Sequence, residues 1–232
     1  MDPAQVLLRT SIFQDLVETD VDELLVDVHE RRYARGEPVW IEGDSATVLC
    51  VVAEGQLKAH RVSRDGREVI VAVYPAPSVT GDVGLFHPAG VRWLNLGAMT
   101  ASRCLLIPRA PLLAFLARHP AAMQRMLESL SIAAVRAAYS YSGMAFEDIG
   151  RRVASLLLYL ASEYGEQTPE GTRVRLRLSQ GDLAAHVGAS RENVNRALAR
   201  LTGAGLISQR DGNFCVPDLA LLEEAAGSEE DL

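Results

Sequence analysis

Polar side chains able to read DNA bases are concentrated in residues 190–200, SRENVNRALAR. Arginine can donate two hydrogen bonds to O6 and N7 of guanine, and glutamate can accept one from N4 of cytosine. In a helix, Arg191 and Glu192 lie one turn before Asn195 and Arg196, so that all four side chains share one face. The segment therefore predicts a helix that presents two arginines, a glutamate and an asparagine to the major groove of DNA.

A helix that reads bases must bury its other side, and the sequence provides that side. Apolar residues follow at spacings i, i+3, i+4 and i+7, namely Val194, Ala197, Leu198 and Leu201. Ser190 precedes this helix as an N-cap, and Ser179 with Asp182 has the pattern of a capping box for an earlier helix. Gly188 suits the left-handed turn between the two. This pattern is typical of a helix-turn-helix, although a buried helical hairpin with a solvated charged face has it too.

The distribution of charge favours a nucleic-acid partner more than the total charge does. The chain carries a formal net charge of −7, which by itself is unusual for a DNA-binding protein. Between Arg173 and Arg210, however, seven arginines stand against two acidic residues, a surplus of five positive charges. This positive segment contains the predicted helix-turn-helix, so one domain would supply both phosphate and base contacts.

Composition is typical of a globular protein with one large or two ordinary domains. The chain has 232 residues, of which 48% are hydrophobic and 23% are charged. A cytoplasmic protein is expected, because the sequence lacks both a run of about 18 apolar residues and a signal-peptide pattern. The three cysteines are far apart, which favours reduced thiols. Neither the cysteines nor the five histidines have metal-ligand spacing, and we expect no bound metal.

Short β-rich runs separated by turn signals occupy residues 32–107. The dipeptides Glu54-Gly55 and Asp65-Gly66 are typical of tight turns between antiparallel strands. Many short strands at regular spacing predict a small antiparallel barrel or jelly roll.

The segment after Thr80 has the residues of an anion site. Gly81 would let backbone N–H groups approach a phosphate, and a short helix that begins with Asp82 and Val83 would present its N-terminus to it. Arg92 could pair with a phosphate through two hydrogen bonds. Either this segment binds an anionic ligand, or it is a structural loop of the roll.

A long helix is predicted after the roll, beginning at Pro111 and restarting at Pro120. Its apolar residues repeat every seven positions in two seams, which are Met123, Leu130, Ala137 and Met144, with Leu127, Ala134 and Tyr141. Such a heptad pattern indicates a parallel coiled coil between two copies of the chain. A second apolar side, with Ile132, Val135 and Tyr139, is expected to pack on the roll of the same chain.

Residues Ser190–Arg196 resemble the recognition helix of the Crp/Fnr transcription regulators, in particular that of the cyclic-AMP receptor branch. The resemblance extends over nearly the whole chain, because Gly81–Phe86 and Arg92 fall where the family has its phosphate-binding cassette. It implies an α+β fold with four segments: a cyclic-nucleotide-binding-like β-roll (1–110), a dimerisation helix and hinge (111–146), a winged helix-turn-helix (147–226) and a disordered tail (227–232).

The resemblance also implies a homodimer that binds a palindromic site on double-stranded DNA and acts with RNA polymerase. The family's base-contacting residues fall on Arg191, Glu192 and Arg196. The full set expected to contact bases or phosphates is Ser179, Gln180, Ser190, Arg191, Glu192, Asn195, Arg196 and, on a β-hairpin wing, Arg210.

The effector site departs from the family's cyclic-AMP pattern. Asp82 replaces a glutamate that holds the ribose, and Trp93 replaces a serine or threonine. Ala137 and Ala138 replace residues that contact adenine. We therefore expect cyclic AMP to bind weakly or not at all, with Trp93 either filling the pocket or forming the floor of a different one. A sensor for another nucleotide and a sensor that works without an effector both remain open.

Two other functions fit parts of the sequence. A nucleotide-binding regulatory module, for a cyclic mononucleotide or dinucleotide, would use its winged helix mainly as an interaction surface. An enzyme of the jelly-roll class would need clustered histidines and carboxylates on neighbouring strands, and the sequence has no such cluster. We therefore expect a transcription regulator and not an enzyme.

Overall fold

The computed structural model of the protein describes residues 2–176, 178–210 and 212–227, and only the backbone at residues 136, 139–146 and 210. The chain divides into two compact units, Met1–Arg136 and Ala137–Leu232. The predicted α+β class is confirmed, since the first unit is a β-roll with helices and the second is a winged helix-turn-helix. Within the described ranges, no helix is both long and apolar enough to cross a membrane.

The first unit is built from two antiparallel sheets. Its elements in chain order are α1 (Pro3–Leu8), α2 (Glu18–Leu25), β1 (His29–Tyr33), β2 (Pro38–Trp40), β3 (Val48–Glu54), β4 (Gln56–Val62), β5 (Glu68–Pro75), β6 (Ser78–Thr80), α3 (Asp82–Phe86), β7 (Asn95–Ala98), β8 (Ser102–Pro108), α4 (Arg109–Arg118) and α5 (Pro120–Phe146). The strand orders are β1-β8-β3-β6 and β2-β7-β4-β5. The last turns of α5 belong to the second unit.

Strand β3 is apolar along most of its length because both of its faces are buried. Leu49 and Val51 face the cluster formed with the helices, whereas Cys50 and Val52 face the interior between the two sheets. Alternate side chains of a strand point to opposite faces, so a strand buried on both sides needs apolar residues throughout. In β4, by contrast, fully buried residues alternate with half-buried ones.

The first turns of α5 pack against their own unit. Met126 is buried, and Met123 and Leu130 pack against the same apolar cluster. Two of the predicted seam residues thus contact the core of their own chain. Leu127, from the other seam, is 58% exposed, and Ala134 is exposed as well.

The prediction that Ile132 and Val135 pack on the roll is wrong, because their side chains are 58% and 55% exposed. Periodicity finds the apolar stripes of a helix, but it does not tell which stripe the same chain covers. The side chains of Tyr139, Tyr141 and Met144 lie outside the described residues.

The second unit places three helices and a small sheet around a central helix. Its elements in chain order are α6 (Ile149–Tyr164), β9 (Gly165–Thr168), β10 (Gly171–Val174), α7 (Gln180–Val187), α8 (Arg191–Gly203), β11 (Ser208–Arg210), β12 (Asn213–Val216) and α9 (Leu219–Ala226). The sheet has the order β11-β12-β10-β9. Helix α6 packs against α7, α8 and α9 and so forms the centre of the unit.

Candidate nucleic-acid interface and sensor cavity

The helices of the predicted helix-turn-helix are α7 and α8, and both begin at the predicted caps. Ser179 Oγ accepts a hydrogen bond from the N–H of Asp182 at 3.1 Å, and Asp182 Oδ2 accepts one from the N–H of Ser179 at 2.9 Å. Gly188 ends α7 in the left-handed conformation, with φ of +64°. Ser190 Oγ accepts a hydrogen bond from the N–H of Asn193 at 3.3 Å and starts α8.

Helix α8 is divided cleanly into a buried and an exposed face. The buried residues are the predicted ones, Val194, Ala197, Leu198 and Leu201. The exposed residues include Arg191, Glu192, Asn195 and Arg196. Ser179, Gln180 and Ser190 are also exposed, at the N-termini of α7 and α8. All the predicted contact residues on these two helices are therefore accessible to a ligand outside the unit.

Arg191 and Arg196, although exposed, each contact a nearby residue of the helix-turn-helix. A Cβ at position 181 would lie 2.4 Å from Arg191 Nη2, so Gly181 leaves space for that guanidinium across the first turn of α7. Arg196 donates a hydrogen bond to Asn193 Oδ1, one turn earlier on α8. Exposed contacts of this kind are weak. Both side chains can therefore turn toward a base with little loss of protein stability.

A groove of about 620 Å³ lies between the start of α6 and the exposed side of α8, and its lining includes Asp148, Arg196 and Arg200. The carboxylate of Asp148 caps α6 by accepting from the N–H of Arg151 at 3.0 Å. That hydrogen bond, together with the nearby charges of Arg151 and Arg200, lowers the pKa of Asp148. Arg200 was not predicted as a site residue, although it follows Arg196 by one helical turn and could have been found by that spacing.

The wing is the hairpin of β11 and β12, in which Arg210 pairs with Asn213. The backbone of Arg210 is thus in the predicted hairpin. The phosphate contact predicted for Arg210 falls on a side chain outside the described residues.

The predicted anion site of the first unit is centred on a buried arginine. Arg92 is 3% exposed; its Nη1 donates to the carbonyl of Gly81 at 2.9 Å and its Nη2 to the carbonyl of Val48 at 2.6 Å. Its guanidinium carbon lies 3.8 Å from the centroid of the Trp40 ring. Arg92 is therefore held by the roll itself, with two hydrogen bonds and a cation–π contact.

Gly81 is required at this place for a reason other than the predicted one. It is the N-cap of α3, with φ of +94°. A Cβ here would lie 2.8 Å from Arg92 Nη1 and 2.9 Å from Trp40 Cη2. Glycine thus permits the close approach of the guanidinium and the indole. Any direct approach of the Gly81 backbone to a phosphate stays a prediction.

Burial destabilises the charged forms of two groups near Gly81. Loss of solvent raises the pKa of the Asp82 carboxyl, and hydrogen bonds from the backbone offset this rise only in part. Loss of solvent also lowers the pKa of Arg92. Among the described residues, Arg92 Nε has no hydrogen-bond partner. Val83, by contrast, is half exposed at the start of α3.

Trp93 lies outside the cavity of the roll. Its side chain is 50% exposed, and its ring meets that of His87 edge-on, with centroids 5.0 Å apart. The sequence interpretation in which Trp93 fills or floors a pocket has no counterpart in this cavity, where Trp40 and Tyr33 are the aromatic residues. Ala137 and Ala138 are exposed residues of the second unit.

The cavity has a volume of about 360 Å³. Its lining includes the buried residues Tyr33 and Arg92 and the half-buried Trp40, and burial raises the pKa of Tyr33 to about 12. The other lining residues are either half-buried, namely Val39, Val48 and Leu106, or exposed, namely Arg31, Asp44, Ser45 and Thr47. Of the residues predicted to bind an effector, only Arg92 lines this cavity.

Both units match known families. Residues 151–225 match the Crp-like helix-turn-helix domain, and residues 30–119 match the cyclic nucleotide-binding domain. The chain is 30% identical to the global nitrogen regulator of Synechocystis over 187 residues, which are 80% of this chain and 83% of that protein. The chain belongs to the Crp/Fnr family of transcription regulators.

Other members of the Crp/Fnr family match over longer stretches. The CRP-like cAMP-activated global transcriptional regulator of Mycobacterium tuberculosis is 29% identical over 222 residues, which are 96% of this chain and 99% of that protein. The structure of the c-di-GMP-responsive global regulator CLP of Xanthomonas campestris is 26% identical, with a TM-score of 0.71, covering 87% of this chain and 100% of that one. The protein is thus a DNA-binding transcription regulator with a cyclic-nucleotide-binding sensor domain.

Proposed function

We propose that the protein is a homodimeric regulator that reads a two-fold symmetric DNA site with Arg191, Glu192 and Arg196. The observation that carries this proposal is the division of α8, whose apolar side is buried while these three side chains are exposed on the other side. In a helix-turn-helix, the N-terminal residues of the second helix enter the major groove. Arg191 and Glu192 are the first two residues of α8, and Asn195 is a fourth candidate reader one turn later.

Phosphate contacts would surround these base contacts. Ser179, Gln180 and Ser190 are exposed at the N-termini of two helices, where backbone N–H groups favour anions. Arg200 adds a positive charge to the groove beside α8. Together with Arg210 on the wing, these residues would fix the protein on the duplex without reading sequence.

The second copy would associate along α5. Leu127 and Ala134 are exposed in the single chain, and covering such a stripe by another copy is the usual role of a heptad. We propose that the interface continues through Ala137, with Tyr141 and Met144 further along the helix. Met123 and Leu130 pack against the core of their own unit. In the dimer they would hold α5 in position while the exposed residues contact the second copy. A symmetric dimer would place its half-site centres about 34 Å apart.

The effector would act by favouring one arrangement of the two units, and it would do so only as far as it binds the two arrangements differently. Relatives of similar identity are described as cAMP-activated and as c-di-GMP-responsive, so a nucleotide effector is supported in general terms. Asp82, Trp93, Ala137 and Ala138 depart from the cyclic-AMP pattern. We propose that cyclic AMP is not the effector and that DNA binding changes little when it is added. In this proposal RNA polymerase is the partner at the promoter.

The test is a selection of binding sites from random duplexes, followed by affinity measurements on the selected site. We expect a palindrome with G·C pairs in each half. Arg191→Ala should weaken binding by about 1–3 kcal/mol and relax one base position. Arg200→Ala should weaken all sequences alike and reduce the salt dependence, and Arg32→Ala, an exposed arginine on β1, is the control without effect.

Two results would contradict the proposal. Selected sites without two-fold symmetry would exclude the dimer as the reading unit. Failure to bind any duplex at low salt would favour a regulatory module whose winged helix is mainly an interaction surface.

A further inference from the structure

Arg196, in the second turn of α8, is hydrogen-bonded to an asparagine of the first turn. Its Nη2 donates to Oδ1 of Asn193, three residues earlier. Residues three apart lie side by side on the surface of a helix. The backbone of Asn193 is itself held, because its N–H donates to Oγ of the N-cap Ser190 at 3.3 Å. A short side chain on a fixed part of the helix therefore holds the end of a long one.

Arg196 does not use the other partner that its own helix offers. Glu192 precedes it by four residues, a spacing at which carboxylates and guanidinium groups commonly pair. Both side chains are exposed. Within the part of the chain that the structure describes, neither of them forms an ion pair. The arrangement around Asn193 thus keeps two base readers of the same helix apart.

Pairing between these two readers would weaken both of them. A carboxylate bound to Arg196 would offset its positive charge, and the same carboxylate would have fewer lone pairs for N4 of cytosine. The amide of Asn193 is neutral and takes up only one of the five N–H donors of the guanidinium. Four donors remain, and O6 and N7 of guanine need two of them. Asn193 can therefore orient Arg196 and leave it able to read a base.

Orientation increases affinity because an arginine side chain has many rotamers. Ordering such a side chain at an interface costs free energy, and a contact that already restricts the side chain in the free protein reduces that cost. The hydrogen bond between Arg196 and Asn193 is exposed in the single chain, where such pairs add little to stability. Bound DNA would displace water from it, and a hydrogen bond away from water is stronger.

We propose that Asn193 is a positioning residue that sets the base preference of α8. It holds Arg196 in the orientation that reads guanine and keeps it away from Glu192. This role rests on the proposed function, in which both of these side chains read bases. The sequence analysis does not name Asn193, because the residue acts on a neighbouring side chain and not on the duplex. Without its amide, Arg196 turns toward Glu192 and both base preferences weaken together.

Binding-site selection with wild type and Asn193→Ala measures these preferences. We expect them to fall about two- to tenfold, the range for one hydrogen bond, at the base positions that depend on Arg196 and Glu192. Thr202→Ala, a change of an exposed polar residue near the end of α8, is the control and should leave every position unchanged. Asn193→Asp keeps an acceptor and adds a negative charge, so it should retain the preferences and weaken binding to all duplexes alike.

A double-mutant cycle separates positioning from direct contact with DNA. If Asn193 acts through Arg196, Asn193→Ala should change affinity by less than about twofold once Arg196→Ala is present. Asn195→Ala is the comparison, because adjacent residues of a helix do not face each other. Its effect on affinity should be the same in both backgrounds.

Two results would overturn this proposal. Wild-type base preferences in Asn193→Ala would show that Arg196 reads its base without support. An equal loss of affinity with and without Arg196 would show that Asn193 contacts the duplex itself. Either result, obtained together with a palindrome selected by the wild type, leaves the proposed function intact. A wild-type chain that binds no duplex rejects the proposed function, and the role of Asn193 with it.

Discussion

The two units use arginine in opposite ways. Arg191 and Arg196 on α8 are exposed and rest on local contacts within the helix-turn-helix. Arg92 in the roll is buried, and it holds two backbone carbonyls and the Trp40 ring in place. An exposed arginine is available to an outside partner and contributes little to stability. A buried arginine with backbone partners is part of the framework of its own domain. Substitution of Arg191 or Arg196 should therefore change DNA binding, whereas substitution of Arg92 should change the stability of the roll.

The largest effect on stability is expected from Arg92→Met. The change leaves the carbonyls of Gly81 and Val48 without their buried donors, and each such loss costs about 1–3 kcal/mol. We expect the free energy of unfolding of the roll to fall by about 2–4 kcal/mol. Chemical denaturation followed by tryptophan fluorescence measures it. Arg196→Met, the exposed counterpart on α8, should stay within about 0.5 kcal/mol of wild type, and equal losses in the two variants would contradict the comparison.

A smaller effect is expected at the start of α7. Ser179→Ala removes the side chain that accepts from the N–H of Asp182 and leaves one half of the capping box. Loss of an N-cap typically costs about 1 kcal/mol. Thermal unfolding should show this loss in the second unit, and Ser179→Asp, which keeps an acceptor, should recover most of it. An unchanged midpoint in the alanine variant would mean that tertiary packing alone holds α7.

These two cases also separate what the sequence predicts from what it does not. The caps at Ser179 and Ser190 and the turn at Gly188 depend on residues within four positions of each other, and all were predicted. The cluster of Trp40, Gly81 and Arg92 depends on the pairing of distant strands. No periodicity links residue 40 to residue 92, so the sequence does not predict the contact between Trp40 and Arg92. The sequence analysis instead names Trp93, the residue that follows Arg92, as the aromatic residue of the site.

Edges and helix faces were the other source of error. The polar residues Gly165–Thr168 form strand β9, which the sequence analysis does not predict. Its exposed edge position removes the apolar alternation that reveals a strand. On α5, the prediction for Ile132 and Val135 is wrong because a sequence gives the apolar stripes of a helix without saying which of them its own domain covers.

A pH-dependent effect of modest size is expected at Asp82. Burial raises the pKa of this carboxyl, so the folded state binds its proton more tightly than the unfolded chain does. The native carboxyl then destabilises the roll once pH rises above its unfolded pKa of about 3.9. Asp82→Asn should therefore unfold at a higher temperature than wild type at pH 7, with the difference disappearing near pH 4 and below. A difference that grows on acidification would have the wrong sign for a buried carboxylate.

The smallest effect is expected for Trp93→Ser, which restores the residue type of the family's cyclic-AMP pattern. The ring of Trp93 is half exposed and has its edge contact with His87, so its removal should change the free energy of unfolding by no more than about 0.5 kcal/mol. Because Asp82, Ala137 and Ala138 still depart from the family's cyclic-AMP pattern, the change should also leave cyclic-AMP binding as weak as before. Calorimetric titration of wild type and variant measures this, with Trp40→Phe as the matched change of the half-buried indole. If Trp93→Ser bound cyclic AMP at low micromolar concentrations, Trp93 would be the residue that blocks the nucleotide, and the contrast between the exposed Trp93 and the half-buried Trp40 would lose its functional meaning.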